Sequence, residues 1–192
     1  MSMSQVFTEL LQNVPDYKEF LTVNELDASS RRLAVQYPDV VSLFEIGKTR
    51  AGHPLLCLKI GSGSKNALMF GCPHPNEPIG TMMLEYFSEN LAKSKALRDE
   101  LDYTWYIVKA WDADGLRLNE NWLKGPYTLY NYSRNFFRPA GFQQVDWRKR
   151  NWVTYVERLS VLFGCCPPLH VFFMDRQDKF PVNEVTLSQE FC

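Results

Sequence analysis

The chain has almost no surplus charge of either sign: 21 Lys and Arg face 22 Asp and Glu, a formal net charge of −1. So even a balance excludes the broad electrostatic footprint of a general nucleic-acid binder or a membrane-surface protein. Long hydrophobic runs are missing too. Nothing approaches the ~18 consecutive apolar residues of a membrane span. Residues 1–20 mix apolar positions with Glu9, Asp16, Lys18 and Glu19, without the basic start and unbroken apolar stretch of a signal peptide. The five cysteines (Cys57, Cys72, Cys165, Cys166 and Cys192) are odd in number and spaced neither as a disulfide framework nor as a zinc finger. These absences predict a soluble protein in a reducing, cytoplasmic compartment, with Cys side chains serving as small buried apolar groups. There is no internal repeat and no low-complexity linker.

What is present is the material of one ordinary core. At 192 residues, 45% of them hydrophobic and 14% aromatic, the chain fits a single globular domain. Residues 6–13, with Val6, Phe7, Leu10 and Leu11 on one face, and residues 29–37, after the Asp27-Ala28-Ser29-Ser30 capping stretch, read as helices. Apolar runs at 40–46 and 54–60, separated by a loop with two glycines, predict an antiparallel hairpin. A third strand is expected at 67–71. Residues 79–97 carry Met82, Met83, Tyr86, Phe87 and Leu91 at helical spacing, which predicts a core-facing helix. The near-continuous apolar run 104–110 predicts a central strand buried on both faces. Strand, helix, strand implies an α/β fold: a mixed, mostly central β-sheet flanked by helices.

One segment carries chemistry. Pro73-His74-Pro75-Asn76-Glu77-Pro78 follows the third strand and sets an imidazole three positions ahead of a carboxylate. Taken alone, such a pair is more often a polar surface contact than a site. At the carboxyl end of a strand in an α/β sheet, however, it stands where ligand sites form. Imidazole nitrogen and carboxylate oxygen both suit Zn²⁺, which in catalytic sites takes three protein ligands and keeps one position for water. Trp111-Asp112-Ala113-Asp114-Gly115 and Tyr132-Ser133-Arg134-Asn135-Phe136 are two further polar stretches. The planar guanidinium of Arg134 is suited to bidentate recognition of a carboxylate.

Four blocks in order, Ile46-Gly47-Lys48-Thr49-Arg50-Ala51-Gly52-His53-Pro54-Leu55, His74-Pro75-Asn76-Glu77, Asp112-Ala113-Asp114-Gly115 and Ser133-Arg134-Asn135-Phe136, resemble the zinc metallocarboxypeptidases of carboxypeptidase A-like fold. The resemblance spans about residues 38–147, corresponding to the N-terminal half of the family's catalytic domain. It implies that residues 1–147 form that half, and that 148–192 are a divergent tail without family pattern, leaving the fold incomplete at its C-terminus. Without strands from the tail, the sheet would expose an apolar edge and self-associate.

The resemblance implies Zn²⁺ as cofactor, held by His74 and Glu77. The family's third ligand is a later His at a strand end, and of the two remaining histidines His170 fits that position better than His53, expected at the surface. Arg134 would bind the terminal carboxylate of a peptide or acyl-amino-acid substrate. Ser133 stands before it where the family usually has Asn, and Ala113 stands where it usually has Pro. No residue is assigned to the oxyanion-stabilising Arg, since neither Arg117 nor Lys124 aligns with it. The catalytic Glu is unassigned as well, because only Glu184 and Glu190 follow His170 and no further strands fit between. The resemblance thus implies a metallocarboxypeptidase that removes the C-terminal residue of peptides, with activity in doubt for want of the base. Two alternatives stay open: a zinc amidohydrolase of the succinylglutamate desuccinylase and aspartoacylase type, and a non-catalytic truncated relative.

Overall fold

The computed structural model of the chain describes residues 3–138, together with the backbone of 169–173 and 185–186. Its elements are α1 (Met3–Gln12), α2 (Val23–Gln36), β1 (Val41–Lys48), β2 (Pro54–Ile60), β3 (Lys65–Phe70), α3 (Ile79–Lys93), α4 (Lys95–Leu101), β4 (Tyr103–Val108), α5 (Ala113–Leu123), α6 (Leu129–Asn135), β5 (Leu169–Phe173) and β6 (Val185–Thr186). The strands form one sheet in the order β1-β2-β4-β3-β5-β6. β1 and β2 are the expected antiparallel hairpin, with an irregularity between Glu45 and Gly47. β4 then inserts between β2 and β3, antiparallel to the first and parallel to the second. The sheet is mixed, and helices flank it.

Alternation along the central strands sends side chains to both faces. Ala67, Met69, Trp105 and Ile107 join one cluster with Leu58, Ile60, Leu84 and Leu91. Their strand neighbours Leu68, Phe70, Tyr106 and Val108 are buried as well, so β3 and β4 are covered on both sides, as the apolar run at 104–110 predicts. Leu84 and Leu91 of α3 are fully buried, each worth about 1.5–3 kcal/mol of transfer free energy. A second cluster joins the start of α2 to α5 through Val23, Leu26, Ala113, Leu116, Trp122 and Leu123.

The structure moves several expected boundaries. α2 begins at Val23 rather than near Ser29: Thr22 accepts from the Glu25 amide while the Glu25 carboxylate accepts from the Thr22 amide, a reciprocal capping box. Ser29 and Ser30 lie inside the helix, where Ser30 donates back to the Leu26 carbonyl. The helix expected over 79–97 is split at Ser94, whose extended backbone ends α3 and whose hydroxyl accepts from Leu97 N to start α4. A Ser side chain offers the backbone this local alternative to continuing a helix. In α1, Val6 is buried and Leu10 packs behind it, but Leu11 faces solvent. The expected bare edge is also covered: β5 pairs in parallel with β3, and β6 pairs antiparallel with β5.

Candidate metal centre

The site is built where β3 and β4 end side by side. Their pairing continues past both strands: Gly71 N donates to Val108 O, Trp111 N to Gly71 O, and Asp112 N to Cys72 O. Only glycine fits at position 71, because a Cβ there would come 2.3 Å from the Lys109 carbonyl oxygen and 3.0 Å from Thr81 Cα. The chain then turns sharply at Cys72, whose φ of 54° is left-handed, a conformation uncommon for a side-chain-bearing residue. Burial, aided by the nearby charges of Asp112 and Glu77, raises the Cys72 thiol pKa well above its ordinary value. The protonated thiol donates to the His74 carbonyl at 3.3 Å.

A tight turn follows, closed by Glu77 N donating to His74 O at 3.1 Å. It places the two side chains together, with His74 Nδ1 3.2 Å from Glu77 Oε2. A carboxylate oxygen only accepts, so a direct hydrogen bond requires the Nδ1–H tautomer. The same separation is close to the ~3.4 Å expected between two ligand atoms each ~2.1 Å from one tetrahedral zinc. In donor type and spacing, His74 and Glu77 therefore fit a zinc site. Among the described residues, no third His, Cys, Asp or Glu groups with them. Asn76 Oδ1, in the same loop, and Asp114 Oδ1, at the start of α5, are buried without a hydrogen-bond partner among those residues.

α5 supports this loop from the side. Asp112 caps it by accepting from Gly115 N at 2.9 Å, and Gly115 has no room for a Cβ because Pro75 would be met at 2.6 Å. Burial is the main cause that pushes the Asp112 carboxyl above the usual carboxylate pKa, with a smaller push from Asp114. Further along α5, the amide of fully buried Asn119 is saturated. Its Nδ2 donates to Gly115 O and Phe137 O, while its Oδ1 accepts from Trp122 Nε1 and Phe137 N. This clamp fixes the backbone at Phe137, and the next residue, Arg138, points its Nη1 at Glu77 Oε1 from 3.4 Å.

The expected site residues are thus distributed unequally. His74 and Glu77 come together. Ser133 and Arg134 lie exposed on α6, where Arg134 Nη1 donates to Tyr130 Oη at 3.0 Å. The guanidinium that reaches Glu77 is Arg138, not singled out in the sequence and detectable there only as a basic residue shortly after the Ser133-Arg134-Asn135-Phe136 block. Asn119 likewise carries no local signal, because its partners at Phe137 lie 18 positions on. Arg117 and Lys124 are engaged elsewhere, Arg117 with His53 and Asn24, Lys124 with Glu19 and Glu25. His53 is not a simple surface residue: its side chain is 14% exposed and its Nε2 lies 3.1 Å from Asp27 Oδ2. Because Arg117 can only donate, His53 Nδ1 accepts from it and Nε2–H faces Asp27. The His170 backbone lies in β5 in register with Ala67, three positions before Phe70. Its side chain, Glu184 and Glu190 lie outside the described residues.

A mixed α/β sheet here brings a nitrogen and an oxygen donor side by side at its carboxyl end, where ligand sites form in such sheets. The family model for zinc carboxypeptidases matches residues 26–158, and the chain belongs to that family. It is 27% identical to mast cell carboxypeptidase A of Rattus norvegicus over 127 residues, covering 62% of this chain and 30% of that protein. Among solved structures, it resembles bovine thrombin-activatable fibrinolysis inhibitor in complex with tick carboxypeptidase inhibitor, with a TM-score of 0.50 and 22% identity over 56% of this chain and 36% of that one. A metallo-carboxypeptidase from Burkholderia cenocepacia gives a TM-score of 0.50 at 18% identity, over 84% of this chain and 42% of that one. The chain therefore spans between about three tenths and two fifths of the length of these relatives.

Proposed function

We propose that the chain carries the metal-holding part of a zinc-dependent metallocarboxypeptidase, an enzyme that hydrolyses the C-terminal residue from peptides. The observation that supports this reading most directly is the His74–Glu77 pair, 3.2 Å apart at the end of β3, within a chain of the zinc carboxypeptidase family. Bound zinc supplies Lewis acidity toward a carbonyl and a water of lowered pKa. His74 and Glu77 provide two of its ligands, and the turn at Cys72 with Pro75 packed on Gly115 holds them in place. Arg138 puts fixed positive charge beside Glu77, and Arg134, exposed on α6, is the guanidinium suited to a substrate's free carboxylate.

The test is zinc stoichiometry of the purified full chain by elemental analysis, alongside hydrolysis of a chromogenic blocked dipeptide with and without chelator. Stoichiometric zinc that is lost in Glu77→Gln, with chelator-sensitive release of the terminal residue, is the expected outcome. Zinc content unchanged by Glu77→Gln refutes the ligand assignment. Turnover of an acyl-amino acid in place of the dipeptide would move the assignment to the amidohydrolase type.

A further inference from the structure

Glu77 uses its two oxygens differently. Oε2 faces His74 Nδ1 at 3.2 Å, while Oε1 faces Arg138 Nη1 at 3.4 Å. The second contact is built into the fold, because the saturated Asn119 amide holds the Phe137 backbone through both its N–H and its C=O. A guanidinium stays charged throughout the pH range of a folded protein. Any divalent cation entering between His74 and Glu77 therefore meets a permanent positive charge one carboxylate away, and must draw on a carboxylate whose Oε1 Arg138 already engages.

We propose that Arg138 is a positioning residue that competes with the metal ion for Glu77. It keeps the carboxylate turned toward His74 before a cation binds, and it raises the metal concentration needed to load the site. The proposal rests on the reading of His74 and Glu77 as ligands. The competition is weak enough to be reversible: the contact is 3.4 Å long and the two side chains are 29% and 20% exposed, in the range where ion pairs contribute modestly.

The experiment is a zinc titration of metal-free full-length chain against a chromogenic chelator, for the wild type and for Arg138→Gln, Arg138→Lys, Glu77→Gln and His74→Ala, at low and raised salt. Arg138→Gln is expected to bind zinc about three- to tenfold more tightly than wild type at low salt, with the gap narrowing as salt screens the charge. Arg138→Lys, which keeps the charge, is expected to restore most of the wild-type affinity. A thermal melt in chelator establishes that each variant is folded, and a purely structural role would not give the salt-dependent gap or the rescue by Lys. If Arg138→Gln binds equally or more weakly while Glu77→Gln and His74→Ala lose affinity, the competition is overturned and the ligand pair stands. If Glu77→Gln and His74→Ala bind as the wild type does, both readings fall.

Discussion

Glu77 and Glu85 leave the same short stretch of chain and end in opposite circumstances. Glu85, in α3, is buried and saturated: Lys109 Nζ lies 2.6 Å from Oε2, and the Ser29 hydroxyl donates to Oε1. Lys109 is itself buried just past the end of β4, and it also donates to Ser29 at 3.2 Å. Glu77, two residues before the helix, is partly open to solvent, and its contacts with His74 and Arg138 are longer, at 3.2 and 3.4 Å. A buried acid and base that satisfy each other at short range form a structural clasp, since removing either strands the other's charge. Longer contacts on a partly exposed carboxylate are the kind that exchange partners, as the ligand role proposed for Glu77 requires.

Lys109→Met tests the closed pair and should have the largest effect. It strands Glu85 and is expected to cost about 3–5 kcal/mol, read from urea unfolding. Adding Glu85→Leu should recover much of that loss, because an apolar pair carries no stranded charge. A single-variant cost below about 1 kcal/mol would place Glu85 among ordinary surface pairs and remove the contrast.

The open pair should respond far less. In chelator, Glu77→Gln is expected to change unfolding free energy by no more than about 1 kcal/mol. A loss as large as that of Lys109→Met would make His74–Glu77 a structural clasp as well.

The smallest effect concerns Asp112, the half-buried cap of α5. Its carboxyl pKa is raised, chiefly by burial, so over the interval above the unfolded-chain value of about 4 the folded form binds more protons. Stability contributed by this group is therefore present at low pH and falls as pH rises through the folded pKa. Asp112→Asn keeps a cap acceptor for Gly115 N and removes the buried charge. It should stabilise the metal-free chain by up to about 1 kcal/mol near neutral pH after solvent screening, with the gain vanishing toward pH 3. A gain independent of pH would show that the charge is not its source.

The contrast also explains what could be read from the sequence. Strands covered on both faces announce themselves as apolar runs, so β2, β3 and β4 were legible, and a turn between a strand and a helix made His74 and Glu77 visible as a local pair. The start of α2 was written in Thr22-Val23-Asn24-Glu25, but the Ser29-Ser30 pair offered a competing capping signal. Ser94 looked like one polar position in a long helix, because its choice to cap α4 depends on backbone geometry. Lys109 reads as the end of a buried strand until Glu85 and Ser29 arrive from two helices. Arg138 meets a carboxylate 61 positions earlier in the chain, a contact that depends on α5 and Asn119 and leaves no local periodicity.

The insertion of β4 between β2 and β3 bears on how far the candidate centre can be reduced. Although residues 71–78 hold both candidate side chains, β3 has no partner in the preceding hairpin, and its neighbours arrive only with residues 103–108 and 169–173. Pro75, in turn, rests against Gly115. The pair is thus local in sequence yet delocalised in its support. A peptide copied from the loop, or the loop grafted onto another hairpin, would carry the ligands without the frame that aims them. The support for the pair therefore runs through β4 and α5 and on to Arg138 and β5.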